Sequence, residues 1–187
     1  MLNYVTKTPL SKRGVFINKT FWTIKYIIMK QYINSLKGTR DFYPSDVRGR
    51  RAMIDPVCQT AESFGYEAYE APLFEPFALY AAKSSLEIIE RQSYVFEDRG
   101  GERVVVRPEM TPSLACMIAN KQRELPSLLR WYCVAECWRY ERAQKGRLRN
   151  FLQVNVDLLG SDTAEADVEI LGVALTVFCE NADREIG

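Results

Sequence analysis

No histidine occurs among the 187 residues. That excludes a Ser-His-Asp triad, a Cys-His nucleophile pair and any imidazole metal ligand contributed by this chain. Cysteine is scarce: residues 58, 116, 133, 137 and 179, with no Cys-x-x-Cys and with Cys133 and Cys137 four apart. An odd, low count fits a reducing compartment and buried thiols, and a closed four-ligand zinc site wants tighter spacing, so no metal site is expected. There is no internal repeat and no low-complexity block. The apolar run Phe21–Ile28 is too short, and with Lys25 too charged, to span a bilayer. What remains is 47% hydrophobic and 26% charged with a net charge of +1, the profile of a soluble globular chain long enough for one domain with a real core.

Acid is missing from the first 40 residues, which carry eight Lys or Arg; Asp41 is the first carboxylate. The remaining 17 basic residues face 24 acidic ones, a balance of −7. A basic, Ser/Thr-bearing start reads as a transit-like segment, a basic arm, or an extension outside the fold, since Met29 opens a second plausible start. The domain organisation expected is residues 1–28 as a basic extension and 29–187 as the folded body.

Along the body, Gly38 to Pro44 reads as a loop. Ser45 is placed to cap a helix over 46–63, with Asp46 in its first turn, Gly65 past its end, and Pro56 inside it to kink or split it. Tyr66 to Ala71 reads as a strand closing on Pro72. Residues 94–97 and 102–107, around Asp98-Arg99-Gly100-Gly101, read as a hairpin. Thr111-Pro112 reads as an N-cap with proline at the first helical position, opening a helix to Lys121. Residues 131–141 and 147–159 read as strands joined by Arg142–Gly146. A last helix spans about 163–179, with Ile170, Leu171, Ala174, Leu175 and Phe178 on one stripe. Hairpin-linked strands with helices between them predict an α+β fold, an antiparallel sheet flanked by helices.

Residues 147–158 carry the most chemistry. With a period of two, one face is Arg147, Arg149, Phe151, Gln153, Asn155 and Asp157; the other is Leu148, Asn150, Leu152, Val154, Val156 and Leu158. An antiparallel strand with one wet face is a common arrangement. A ring centred between arginines and amides instead suits a ligand with an anionic part, a flat part and an amine. Arg139 and Glu141, two apart on the partner strand, come beside Arg147 to Phe151 by antiparallel pairing; a cross-strand ion pair is the simpler account of them. Glu109 follows the apolar run Val104-Val105-Val106, and an inward carboxylate there needs a cation, either Arg139 or a ligand ammonium. Thr111 reads equally well as a plain cap.

Three ordered blocks resemble the histidyl-tRNA synthetase family of class II aminoacyl-tRNA synthetases. They are Leu36-Lys37-Gly38-Thr39-Arg40-Asp41-Phe42-Tyr43-Pro44, Arg107-Pro108-Glu109-Met110-Thr111, and the stretch from Trp138 to Gln153, which is similar to motif 2 of that class. The helix before Gly65 and the strand ending at Pro72 resemble motif 1, which builds the family's dimer interface. The resemblance covers about residues 30–187 and implies the N-terminal part of a class II catalytic core, without motif 3 or the anticodon-binding domain.

The resemblance further implies that Arg139, as the catalytic residue, holds the α-phosphate of ATP and the substrate carboxylate. Glu141 and Arg147 contact ATP, and Phe151 stacks on adenine. Glu109, Met110, Thr111, Gln153 and Asp157, with Arg139, bind histidine, Asp157 standing where some relatives carry Glu. The implied reaction is ATP-dependent formation of histidyl-adenylate, with Mg2+ entering with ATP and no tightly bound cofactor, then transfer to tRNA(His). The implied partners are histidine, ATP, tRNA(His) and a second copy of the chain through the motif 1 region, in the cytoplasm, with no membrane; the basic start leaves organellar targeting open. The fragment is expected to be incompetent by itself. The alternative is the synthetase-like regulatory subunit of ATP phosphoribosyltransferase, non-catalytic and serving histidine biosynthesis; a third reading is a purely structural or interaction module.

Overall fold

A computed structural model of the chain describes residues 35–81, 91–142, 144 and 146–182. The extension expected over residues 1–28, and its boundary at residue 29, lie outside the described residues. Among the described residues no helix is long and apolar enough to cross a membrane.

Helix α1 runs Pro44–Ser63. Its N-cap is Tyr43 rather than Ser45: Pro44 takes the first helical position, where its missing N–H costs nothing, and Asp46 Oδ2 accepts from the Tyr43 N–H at 2.9 Å. Pro56 is buried inside the helix but does not split it. At the far end Tyr66 N–H donates to the Ala61 carbonyl (3.0 Å) and Gly65 N–H to that of Glu62 (2.9 Å). This is a Schellman cap, which needs the left-handed φ of +83° at Gly65. It turns the chain into β1, Glu67–Ala68, much shorter than the strand expected over 66–71.

Two three-stranded sheets follow. In the first, β1 lies parallel to β5 (Leu129–Trp138), and β5 pairs antiparallel with β6 (Asn150–Leu159) through ten residue pairs, from Leu129↔Leu159 to Trp138↔Asn150. To the antiparallel pairing expected, β1 adds a short parallel edge, with Glu67↔Trp131 and Ala68↔Tyr132. Both long strands are shorter at the loop end than the sequence pattern suggests. Beyond Arg139 the chain leaves the ladder, and Tyr140 N–H donates to the Gln92 carbonyl at 2.8 Å.

In the second sheet β4 (Arg103–Val106) is central between β2 (Phe74–Pro76) and β3 (Tyr94–Glu97), all antiparallel. The β3–β4 hairpin forms as expected. Asp98 Oδ1 accepts from the N–H of Gly100 (2.7 Å) and Glu102 (3.0 Å), and Gly101 turns at φ +84°. Strand β2 and the short helix α2 (Phe77–Ala81) have no counterpart in the sequence reading. Helix α3 spans Thr111–Lys121 with Met110 at the N-cap, one residue earlier than expected.

Helix α4 runs Ala164–Ala182. Its buried line is centred on Val173, packed with Ala61, Tyr66 and Tyr132, with Ile170 and Val156 beside them. Leu171, Leu175 and Phe178, which share the apolar stripe read from the sequence, are exposed, Phe178 at 72%. The helix is apolar on more than one side, so periodicity alone does not choose the inward face. The face carrying Val173 is the one that packs, and beside it the Arg130 guanidinium donates to both carboxylate oxygens of Glu169 at 2.6 and 2.8 Å.

The first sheet is thus covered by α1 and α4 on the face carrying Tyr132, Val156 and Leu158. On its other face Tyr69, Met110 and Leu114 pack over Cys133, Ala135 and Cys137. That second face holds the candidate site.

Candidate active site

The β5–β6 register sets the geometry. Cys137 lies opposite Phe151, Ala135 opposite Gln153, Cys133 opposite Asn155 and Trp131 opposite Asp157. Directly paired residues share a face, so Phe151, Gln153 and Asn155 of β6 stand beside the small residues Cys137, Ala135 and Cys133 of β5, and Asp157 stands beside the Trp131 ring. Burial pushes the thiols of Cys133 and Cys137 upward, which keeps them as neutral floor groups rather than nucleophiles.

At the loop end the backbone keeps pairing for one more step: Arg139 N–H donates to the Arg149 carbonyl at 2.8 Å. Gln144 and Arg147 then close a bridge around Gly146, whose φ of +79° the turn requires. Arg149 N–H donates to the Gly38 carbonyl at 2.7 Å, fixing the Gly38–Pro44 segment to the base of the loop.

Arg139, Glu141, Arg147 and Phe151 all line one cavity of about 220 Å³, with Gly146 and Leu148. The Arg139 guanidinium lies over the Phe151 ring, 5.0 Å from its centroid, and its Nε donates to the Pro108 carbonyl at 3.1 Å. That bond fastens the turn carrying Glu109 and Thr111 to the cavity wall. Glu141 and Arg147 form an ion pair. Cation, ring, carboxylate and second cation therefore converge, as recognition of an anionic, flat ligand demands.

Arg149, which the two-residue period puts on the same face, is used structurally. It donates from Nε to the Glu141 carbonyl (3.1 Å) and stacks on Tyr140 at 4.3 Å.

The residues expected to meet an amino acid divide. Glu109 is half-buried and Thr111 exposed beside the turn. Gln153 and Asp157 are half-buried on the same face of β6 as Phe151; Gln153 Nε2 donates to Asn155 Oδ1 at 2.8 Å. Asp157 Oδ2 accepts from the Tyr69 hydroxyl at 3.2 Å. Burial raises the Asp157 carboxyl above its ordinary range, opposed by that hydrogen bond. Met110 stands apart. It has no exposed surface and packs against Tyr69, Leu114 and Cys133, so its side chain is core and does not line the concavity.

Two features escaped the sequence reading. Arg107 is buried, yet its guanidinium hydrogen-bonds to main chain. It donates to the carbonyls of Ala71 (2.7 Å), Pro72 (3.3 Å) and Glu136 (3.0 and 3.2 Å), tying the end of β4, the chain after β1 and the end of β5 together. Backbone carbonyls carry no sequence signal, so only the lone cation in an apolar context hints at this. A second cavity of about 320 Å³ lies beside α1, lined mainly by Phe42, Arg50, Met53, Ile54 and Leu152.

Comparison with known proteins identifies the family and the fold. The family model described as histidyl-tRNA synthetase matches residues 38–183. A histidine–tRNA ligase from Leptospira biflexa is 45% identical over 142 residues, 76% of this chain and 32% of that protein. One from Haloarcula marismortui is 42% identical over 147 residues, 79% of this chain and 34% of that protein. Among solved structures, an ATP phosphoribosyltransferase regulatory subunit/histidyl-tRNA synthetase from Bacillus halodurans aligns with a TM-score of 0.68 at 25% identity, over 78% of this chain and 37% of that one. The apo histidyl-tRNA synthetase of S. aureus aligns at 0.66 and 23% identity, over 79% of this chain and 34% of that one, a likeness of fold. The chain spans about a third of the length of the curated relatives it matches.

Proposed function

The chain belongs to the histidyl-tRNA synthetase family, with the fold of the N-terminal catalytic region of a class II synthetase, and on that premise we propose that the protein is a histidine–tRNA ligase. It activates histidine with ATP to histidyl-adenylate and transfers the histidyl group to tRNA(His). The observation that carries this reading is the convergence of Arg139, Glu141, Arg147 and Phe151 on one cavity, with the Glu109–Thr111 turn hydrogen-bonded to Arg139 through the Pro108 carbonyl.

In the proposed mechanism the histidine carboxylate attacks the α-phosphorus of Mg-ATP and pyrophosphate leaves. No protein nucleophile is needed, so a chain without histidine loses nothing. Arg139 holds the α-phosphate and the attacking carboxylate; its fixed charge meets the negative charge that grows on the pentavalent phosphorus. Stacking on Phe151 and the bond to Pro108 preorganise that guanidinium. Phe151 offers its ring to adenine, Arg147 its charge to the phosphates, and Glu141 orients Arg147. Glu109, Thr111 and Gln153 receive the amino group, and Asp157, further along β6, takes an N–H donor of the amino acid. Met110 serves by packing the turn.

Mg2+ enters with ATP. A second copy of the chain docks through the α1–β1 region, the tRNA contacts lie mostly elsewhere or on the basic loop Arg142–Arg149, and the protein works in the cytoplasm. The Bacillus halodurans protein, named both as a synthetase and as a regulatory subunit of ATP phosphoribosyltransferase, shares the fold and supports the regulatory role as a second reading.

One experiment separates the two: histidine-dependent exchange of pyrophosphate into ATP by the full-length protein. Exchange is expected. Its absence from intact, folded protein would refute the ligase reading.

A further inference from the structure

Tyr69 belongs to neither strand of the ribbon, yet its hydroxyl reaches the one carboxylate on the site face of β6. Its own position is heavily determined. Its backbone N–H donates to the Tyr132 carbonyl at 2.9 Å, prolonging the parallel pairing of β1 with β5. Its ring lies 5.7 Å from that of Trp131, the residue paired with Asp157. Met110, Leu114 and Cys133 pack around it, leaving it 7% exposed.

Asp157 needs such a partner. A half-buried carboxylate requires donors, and among the described residues the side chain that donates to Asp157 is that of Tyr69. That bond uses Oδ2 and leaves Oδ1 available on a face otherwise made of Phe151, Gln153 and Asn155. Six residues of extended strand put Asp157 about 20 Å along β6 from Phe151, at the opposite end of the site from the cavity lined by Arg139 and Arg147.

We propose that Tyr69 is a positioning residue for amino-acid selection, holding the Asp157 carboxylate by Oδ2 so that Oδ1 faces an N–H donor of the bound amino acid. The inference rests on the ligase reading above and adds to it a residue outside the three family blocks. Tyrosine suits the role because its hydroxyl reaches across β5 while its ring fills the core. Phenylalanine would keep the packing and release the carboxylate to rotate.

The test is a double-mutant cycle on the full-length protein, read by pyrophosphate exchange with histidine and ATP varied separately. Tyr69→Phe is expected to raise KM for histidine about tenfold, the scale of a lost hydrogen bond to a charged group, with KM for ATP unchanged. Asp157→Asn is expected to raise it further, and Tyr69→Phe added to Asp157→Asn to cost much less than it does alone. An unchanged histidine KM in Tyr69→Phe, a parallel rise in KM for ATP, or fully additive losses would each overturn the assignment while leaving the ligase reading intact. A parent protein without any exchange would remove both.

Discussion

Arg147 and Glu141 are ion-paired with each other across the loop of the β5–β6 ribbon, through Nη2 and Oε2. Both also line the cavity that holds Arg139 and Phe151. The Arg147 side chain is 60% exposed, and such a pair is worth about 1 kcal/mol or less. A triphosphate can therefore draw the guanidinium away at small cost, exchanging one carboxylate for several phosphate oxygens.

Arg147→Ala is accordingly expected to raise KM for ATP about tenfold and to leave KM for histidine unchanged, with a smaller effect at high salt because the exposed charge is screened. Exchange kinetics at two ionic strengths check this. An unchanged KM for ATP would take Arg147 out of nucleotide binding.

Arg139 has the stronger claim on the chemistry, since its guanidinium is held by both Phe151 and the Pro108 carbonyl. Arg139→Ala is expected to slow adenylate formation by roughly 10²–10³, the scale of a lost preorganised donor. Near-normal single-turnover adenylate formation would refute the role.

Arg107 should matter for stability before it matters for rate. Arg107→Leu strands the carbonyls of Ala71, Pro72 and Glu136 that the guanidinium now satisfies. The expected loss is about 2–4 kcal/mol, read from urea unfolding. Arg107→Lys is expected to recover only part of it, because one ammonium cannot span three carbonyls in a plane. A change below about 0.5 kcal/mol in Arg107→Leu would contradict this.

Gly160, just past β6, has φ +94°, and a Cβ there would stand 1.7 Å from the Ser127 carbonyl oxygen. Gly160→Ala combines backbone strain with a clash against main chain, so a loss of about 2–5 kcal/mol is expected. Thermal melts check it; an unaltered Tm would mean that the 127–129 segment yields freely.

Two carboxylates should give opposite pH signatures. The folded state binds the Asp157 proton more tightly than the unfolded chain does. Stability therefore falls as pH rises from about 3.8 through the raised folded value, and the penalty persists at neutral pH. Asp157→Asn is expected to raise Tm at pH 7 and to converge with the parent in acid. Hydrogen bonds from Arg130 lower the Glu169 carboxyl, so its contribution is complete above about 4.5 and fades as pH falls through the lowered value. Glu169→Gln is expected to lower Tm at pH 7. Melts across this range decide both signs.

Much of the site was legible because β6 obeys a strict two-residue period. Phe151, Gln153 and Asp157 do share a face, and pairing does bring Arg139 and Glu141 to the loop end. Arg149 broke the pattern because regular pairing ends at Asn150, and a nearby ring and carbonyl took its guanidinium. The three-residue β2 ends in Pro76, tolerated because β2 is an edge strand, and is too short to leave a periodic trace. The partnership of Tyr69 with Asp157 was not legible, since the β1–β5 pairing that delivers it joins residues 64 positions apart.

That separation bears on the order in which the molecule assembles. The β5–β6 ribbon closes through an 11-residue connection and can zip locally, whereas β1 reaches β5 only after a far larger loop has lost its entropy. On that ground the rim holding Arg139 and Phe151 is expected to form early in folding and the seat beneath Asp157 late. Slow or interrupted maturation would leave a chain with the loop end of the ribbon formed and the Asp157 end still unshaped.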